Sequence, residues 1–277
     1  MIKKLIEKEI KHKFKFQLNN NLFSSIKNLN DRSIFFSDNT NNIIREKLNK
    51  INEGIFITKK KDSQIKKTIV QIIHPNPKLF FFELVKKIPL DKIKKKFKMG
   101  DGTRISKNVS IGNNVIMGDN CNIHSGVVIG DNVEIGNNCT IKSNSVIGQR
   151  GFGLIKNKEN NLIEIPHIGN VKIKDNVEIG ALNTIARGTL DNTVIESYNK
   201  LDDHVHIAHN CFLKRNNIIC AGVIFGGSVT VDENNFFGLN CTIKNKISIG
   251  KNNIIGQSSN LIKDIGNNKI LFGNPAK

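Results

Sequence analysis

Tryptophan is absent and tyrosine occurs once, as Tyr198, in a chain of 277 residues. Single-strand nucleic-acid binders interleave stacking aromatics with their basic residues, so this scarcity weighs against that class. No helix-turn-helix or zinc-finger pattern is visible. The five cysteines (Cys121, Cys139, Cys211, Cys220 and Cys241) are an odd number without a CxxC. A disulfide framework or zinc knuckle is therefore disfavoured against reduced, small core side chains. No apolar run reaches the length of a membrane span, and the N-terminal MIKKLIEKEIKHKFKF lacks the apolar core of a signal peptide. The expectation is a cytoplasmic protein. Acidic residues are outnumbered, 24 against 42 Lys and Arg, for a net charge of +18. Such a surface favours acidic partners: nucleotide phosphates, an anionic membrane or an acidic carrier protein.

What the chain has in abundance is a six-residue period. An aliphatic or Met opens each hexad at Ile105, Ile111, Met117, Ile123, Ile129, Ile135, Ile141 and Ile147. The series resumes from Val171 and runs through Ile195, Leu201, Ile207, Leu213, Ile219, Phe225 and on to Leu261. A hexapeptide period is the signature of a parallel β-helix. Three hexads make one 18-residue coil, with the lead residue inward and successive coils about 4.8 Å apart. The predicted division is a β-helix over 99–277 and a small α/β, nucleotide-binding-like domain over 1–98. In that domain Ser33–Phe36, Gly54–Thr58 and Thr68–Ile73 read as strands. KLFFFELVKKI, after His74-Pro75-Asn76-Pro77, reads as a helix. The basic run Lys92–Lys98 leads into the repeats.

Two breaks interrupt the period: Gln149–Asn170, and a four-residue insertion between Ile185 and Ile195. Insertions in a solenoid fall at corners and cluster on its binding face. Near them lies LDDHVHIAHN (Leu201–Asn210), holding three of the seven histidines. Three readings stand: solvating surface residues, a metal site, or a general base. His204, His206 and His209 occupy different repeat positions and no HExxH accompanies them, so metal ranks last. Histidine is suited to proton transfer near neutral pH. The 18-residue coil stacks His209 on Gly227, within GVIFGGS, where backbone N–H groups are open to a ligand. A base beside a backbone donor is what acyl transfer requires.

At these residues the chain resembles the UDP-3-O-(3-hydroxyacyl)glucosamine N-acyltransferases of lipid A biosynthesis. The resemblance rests on IGQRGFG, IEIPHIGNVKIKDNVEIGALNTIARGTLDNTVI, LDDHVHIAHN and AGVIFGGSVTV, and spans roughly Ser33 to Ile265. It implies a mainly β, left-handed parallel β-helix, an exception to the right-handed crossover rule, assembled as a homotrimer. It also implies an acyl thioester donor, a 3-hydroxyacyl chain on the phosphopantetheine of acyl carrier protein, with no bound cofactor. The family's catalytic base falls on His209 and its oxyanion-hole glycine on Gly227. Its second histidine falls on Lys246, a cation able to meet a donor phosphate. The Asp of its TIDRG segment is replaced by Ala186, with Arg187 retained. Its uridine-binding segment matches at Phe35, with Asp38 and Asn41 in place of Asn and Tyr. Asn210 and His206 are candidates for orienting base or substrate, and His167 and Arg187 for sugar or phosphate contacts. The closing GNPAK is similar to acetyl-CoA-dependent sugar acetyltransferases, which makes Lys277 a candidate for CoA phosphates. The expectation is a nucleotide-sugar N-acyltransferase. A short-chain acyl-CoA enzyme and a non-catalytic scaffold are the alternatives.

Overall fold

A computed structural model describes residues 2–19, 21–88 and 97–277; residues 92–96 of the basic run lie outside them. The chain divides into two compact units, Met1–Lys92 with Gly153–Pro166, and Ile93–Phe152 with His167–Lys277. The β-helix ladder already includes Lys98–Met99, which pairs with Ile116–Met117. Within the first break, Leu154–Lys156 and Leu162–Glu164 pair with each other as an antiparallel hairpin.

In the first unit, β1 (Ile34–Ser37), β2 (Gly54–Thr58) and β3 (Ile69–Ile73) form a parallel sheet in that order. A parallel sheet covered on both faces needs near-continuous apolar strands, and all five residues of β2 are buried. Two helices that the sequence reading did not assign are α1 (Ile2–Ile10), which buries Ile6 and Ile10, and α2 (Asn42–Lys50). Asn41 caps α2, its side chain accepting from Ile44 N–H at 2.9 Å. The helix expected after His74 is α3 (Pro77–Lys87). Pro77 sits in its first turn, and Asn76 accepts from Leu79 N–H at 3.1 Å.

The second unit is a parallel β-solenoid with three sheets of eight, nine and eight strands. Ile207, Phe225, Ile243 and Leu261 occupy consecutive rungs and are at most 3% exposed. Corners between strands require a left-handed residue, and Asn tolerates that conformation better than other non-glycine residues. Asparagine fills 14 of the 22 non-glycine positions at positive φ. Part of the chain's asparagine richness is thus conformational.

A second asparagine column is buried. Asn217, Asn235 and Asn253 each donate backbone N–H to the side-chain oxygen of the asparagine one coil earlier, at 2.9–3.0 Å. Buried polar groups persist when paired in this way. Cys121, Cys139, Cys211 and Cys241 are buried free thiols. Burial pushes the Cys211 thiol up to about 12, the behaviour of a packing residue and not of a nucleophile.

Candidate active site

His209 follows the strand His206–Ile207, at the corner where the chain leaves one sheet for the next. Ile207 and Cys211 are fully buried on either side, so the intervening residues turn outward. Asn210 makes that turn at φ 61°. One coil later the same corner carries Gly227, held by Ser228 N–H donating to His209 O at 2.8 Å. The His209 ring lies on this glycine. A Cβ there would sit 2.7 Å from Cε1 and 2.8 Å from Nε2, inside ordinary contact distance.

The tautomer of His209 follows from its neighbour. Asn210 Nδ2 donates to Asp191 O at 3.1 Å, and Asn210 Oδ1 accepts from Thr189 N–H at 3.0 Å. These two backbone partners fix which end of the amide is oxygen. The same Oδ1 lies 3.0 Å from His209 Nδ1, so Nδ1 must carry the proton. Nε2 then presents a lone pair beside Gly227.

Gly227 offers a donor in return. At the equivalent corners of other coils, the N–H of Asp101, Asn113, Asp119 and Asn137 is taken by a carboxyl or amide oxygen of the next coil. The residue stacked beyond Gly227 is Asn245, and no acceptor among the described residues takes the Gly227 N–H. Lys246 N–H instead donates to Gly227 O at 2.9 Å. Lys246 is exposed and turns at φ 66°, so it stands one coil beyond Gly227 and two beyond the histidine.

Both breaks in the period converge here. The insertion supplies Thr189 and Asp191, and Asn210 N–H donates to Thr193 Oγ1 at 2.9 Å. The longer break brings His167, only 7% exposed, edge-on to His209 with ring centroids 5.3 Å apart. Gly151 fits between them: a Cβ would lie 3.0 Å from His167 Nε2 and from His209 Cβ and Cδ2. The sequence reading missed Gly151, Thr189 and Asp191. Gaps of 38 and 22 residues between paired strands (Ile147 with Ile185, Ile185 with Ile207) replace the 18-residue register there. Arg187 donates backbone N–H to Gln149 O at 2.9 Å and Nη2 to Asp131 O. Its buried Nε has no acceptor among the described residues. Burial lowers the pKa of its guanidinium, with Asp131 acting in the opposite direction.

The remaining candidates lie elsewhere. Phe35 is fully buried, its ring 5.7 Å from that of Phe56 and stacked on it, so it has no face to offer a base. The cause is a sheet covered on both sides: Phe35 faces the Leu48 cluster, and Phe36 packs on Phe81 and Phe82. Asp38 follows β1 in the same unit, half-buried. His206 does not orient His209. It lies on the outer face of its strand, with Nδ1 2.6 Å from Thr184 Oγ1, and burial lowers its pKa. His204 turns at another corner, exposed, and no metal-binding group of three His, Cys, Asp or Glu occurs among the described residues. Lys277 exchanges backbone hydrogen bonds with Phe272 at 3.1 and 3.2 Å, beside the last rung. It lies about four strand spacings, roughly 19 Å, along the axis from the His206 strand, since Ala276 N–H already donates to Asn260 O on the third. Ala186 is buried opposite Gln149.

The repeats at residues 98–131 and 117–149 match the description bacterial transferase hexapeptide (six repeats). Among curated hexapeptide-repeat relatives, the UDP-3-O-acylglucosamine N-acyltransferase of Methylorubrum extorquens is 36% identical over 129 residues. That match covers 47% of this chain and 36% of the relative, so the chain aligns with little more than a third of its length. A protein of the same name from Coxiella burnetii is 51% identical over 75 residues, covering 26% of this chain and 22% of the relative. Among solved structures, the UDP-N-acetylglucosamine acyltransferase of Bacteroides fragilis superposes with a TM-score of 0.60 at 27% identity, covering 68% of this chain and 72% of that one. The architecture is the left-handed hexapeptide β-helix.

Proposed function

We propose that the chain is an N-acyltransferase of lipid A synthesis that moves a 3-hydroxyacyl group to the amine of a UDP-3-O-acylglucosamine-type nucleotide sugar. One observation carries the reading: the Asn210 amide holds the His209 lone pair at Nε2, against a glycine whose N–H is free to donate to a ligand. The names of the relatives supply the substrate class.

The amine nitrogen attacks the thioester carbonyl, and His209 Nε2 takes the proton that nitrogen sheds. The carbonyl oxygen becomes an oxyanion that Gly227 N–H stabilises. Collapse breaks the C–S bond, and the leaving thiolate recovers the proton from His209, giving an amide and a free thiol. Arg187, with an unused Nε, and the exposed Lys246 are phosphate contacts for sugar nucleotide and donor. His167 holds the His209 ring in place, and Asn210 fixes its tautomer. The working form is a cytoplasmic homotrimer, and the donor is acyl carrier protein, an acidic partner suited to a chain of +18.

The test is mass spectrometry of products from paired panels of thioester donors and aminosugar nucleotides, with wild type and H209A. Transfer of a 3-hydroxyacyl chain, reduced by about 10²–10⁴ in H209A, is expected. Transfer from acetyl-CoA alone would overturn the donor and substrate assignment while leaving the chemistry. Near-wild-type turnover by folded H209A would overturn the base. Absence of turnover with every pair would leave a scaffold.

A further inference from the structure

The positive charge is not spread evenly. The first unit holds 22 Lys and Arg against 11 Asp and Glu, a net +11 on 106 residues; the second, with 171 residues, carries the other +7. The densest part is α1 and the segment after it. Lys4, Lys8 and Lys11 follow one another at the i, i+4, i+7 spacing that puts side chains on one helical face. Lys13 and His12 line the same shallow groove as these three. All five side chains are exposed.

Three features show that this cluster carries a net positive charge and faces outward. Glu7 is the one acid lining the groove, its Oε1 accepting from Phe14 N–H at 3.2 Å, and Glu9 pairs with Lys87 at 2.6 Å. No ion pair among the described residues involves Lys4, Lys8, Lys11 or Lys13. The apolar side of the element is spent inside the unit, where Ile6, Ile10, Phe14 and Phe16 are at most 8% exposed.

We propose that the basic face of α1 adsorbs the protein to an anionic membrane surface. A cluster of four to eight basic residues suffices for such electrostatic adsorption. The groove favours lipid over the other polyanions. A protein partner needs a desolvated apolar or aromatic anchor at the centre of its interface, whereas Ile6, Ile10, Phe14 and Phe16 are buried and Ile2 and Leu5 half-buried. Single-stranded nucleic acid needs exposed aromatics, and Phe14 and Phe16 are buried. With no apolar face to insert, attachment is peripheral and salt-sensitive, unlike that of an amphipathic insertion helix. The inference stands independently of the proposed chemistry, although a diacylated sugar product would itself partition to such a surface.

The test is co-sedimentation of the full chain with vesicles of pure phosphatidylcholine, or of phosphatidylcholine with anionic phosphatidylglycerol. Binding is expected only to the anionic vesicles, falling steeply as salt rises. Each neutralised lysine should weaken partition by about fivefold, so K4Q/K8Q/K11Q/K13Q should lose several hundredfold. The charge-preserving K4R/K8R/K11R/K13R should bind like wild type, which separates charge from folding. Equal binding to both vesicle types, unchanged binding by the glutamine variant, or no vesicle binding would each overturn the proposal. So would lysine-dependent binding to an acidic protein or to nucleic acid without vesicle binding.

Discussion

Replacing Gly227 by alanine is the most direct perturbation of the proposed site. Gly227 is not among the glycines at positive φ, so the backbone accepts a Cβ. The three atoms nearest that Cβ all belong to the His209 ring, at 2.7, 2.8 and 3.2 Å. Carbon contacts settle at about 3.5–4.0 Å, so the ring must retreat by about 1 Å. That retreat strains or breaks the bond to Asn210 and carries Nε2 away from Gly227. A 1 Å misplacement of a reacting group costs about 10²-fold, and complete loss of a general base about 10²–10⁴. G227A should therefore lose about 10²–10³ in kcat/KM. Stability should change little, because the obstacle is a side chain free to swing outward. One lost hydrogen bond is worth about 1 kcal/mol, or about 2–4 °C in Tm for a chain of this size. Gly238→Ala supplies the contrast, since its Cβ would meet Gln257 backbone N at 2.7 Å. That variant should lose stability and keep its turnover per folded molecule. The assay is steady-state acyl transfer beside thermal unfolding of both variants. Turnover of G227A within about threefold of wild type would refute the stacking argument.

Gly151→Ala should act like G227A, since its Cβ meets both His167 and His209 at 3.0 Å; kcat should fall while thermal unfolding moves little. Asn235→Ala removes the acceptor for Asn253 N–H and Nδ2, both at 2.9 Å. Each buried group left unpaired costs about 1–3 kcal/mol, so a clear drop in denaturant midpoint is expected, with activity retained below it. Asp62, held by its hydrogen bond to Arg45 at 2.7 Å, has its carboxyl below the ordinary value. A depressed carboxylate contributes stability above its unfolded pKa of about 3.9, lost as pH falls through the folded value. D62N should therefore unfold more readily than wild type at neutral pH, the two converging in acid; a constant gap would refute the linkage.

The β-helix was legible because its period is continuous wherever coils stack without insertion. His209 on Gly227 is such a pair, separated by one whole coil. Gly151 and His167 were not legible as partners of His209, because the excursion and the insertion between them erase the 18-residue register. Phe35 misled for a different reason. SIFFSD gives no sign that both faces of β1 are covered, so an aromatic that matches a ligand-binding pattern is in fact core. His206 and His209, three residues apart, were equally plausible on composition. Strand alternation puts one on a sheet face and the other on a corner. The positive-φ asparagines were visible as a composition bias, but only the turn geometry gives them a cause.

The corners that carry the site also govern how the gene can change length. Strands one rung apart pair in register across separations of 18, 22 and 38 residues, so codons can be gained at a corner in any number. A single codon gained inside a strand would turn its inward side chains outward. Indels are thus confined to the corners, among them the one that carries the proposed site. Chemistry in this architecture can drift by insertion while the prism beneath it is inherited unchanged.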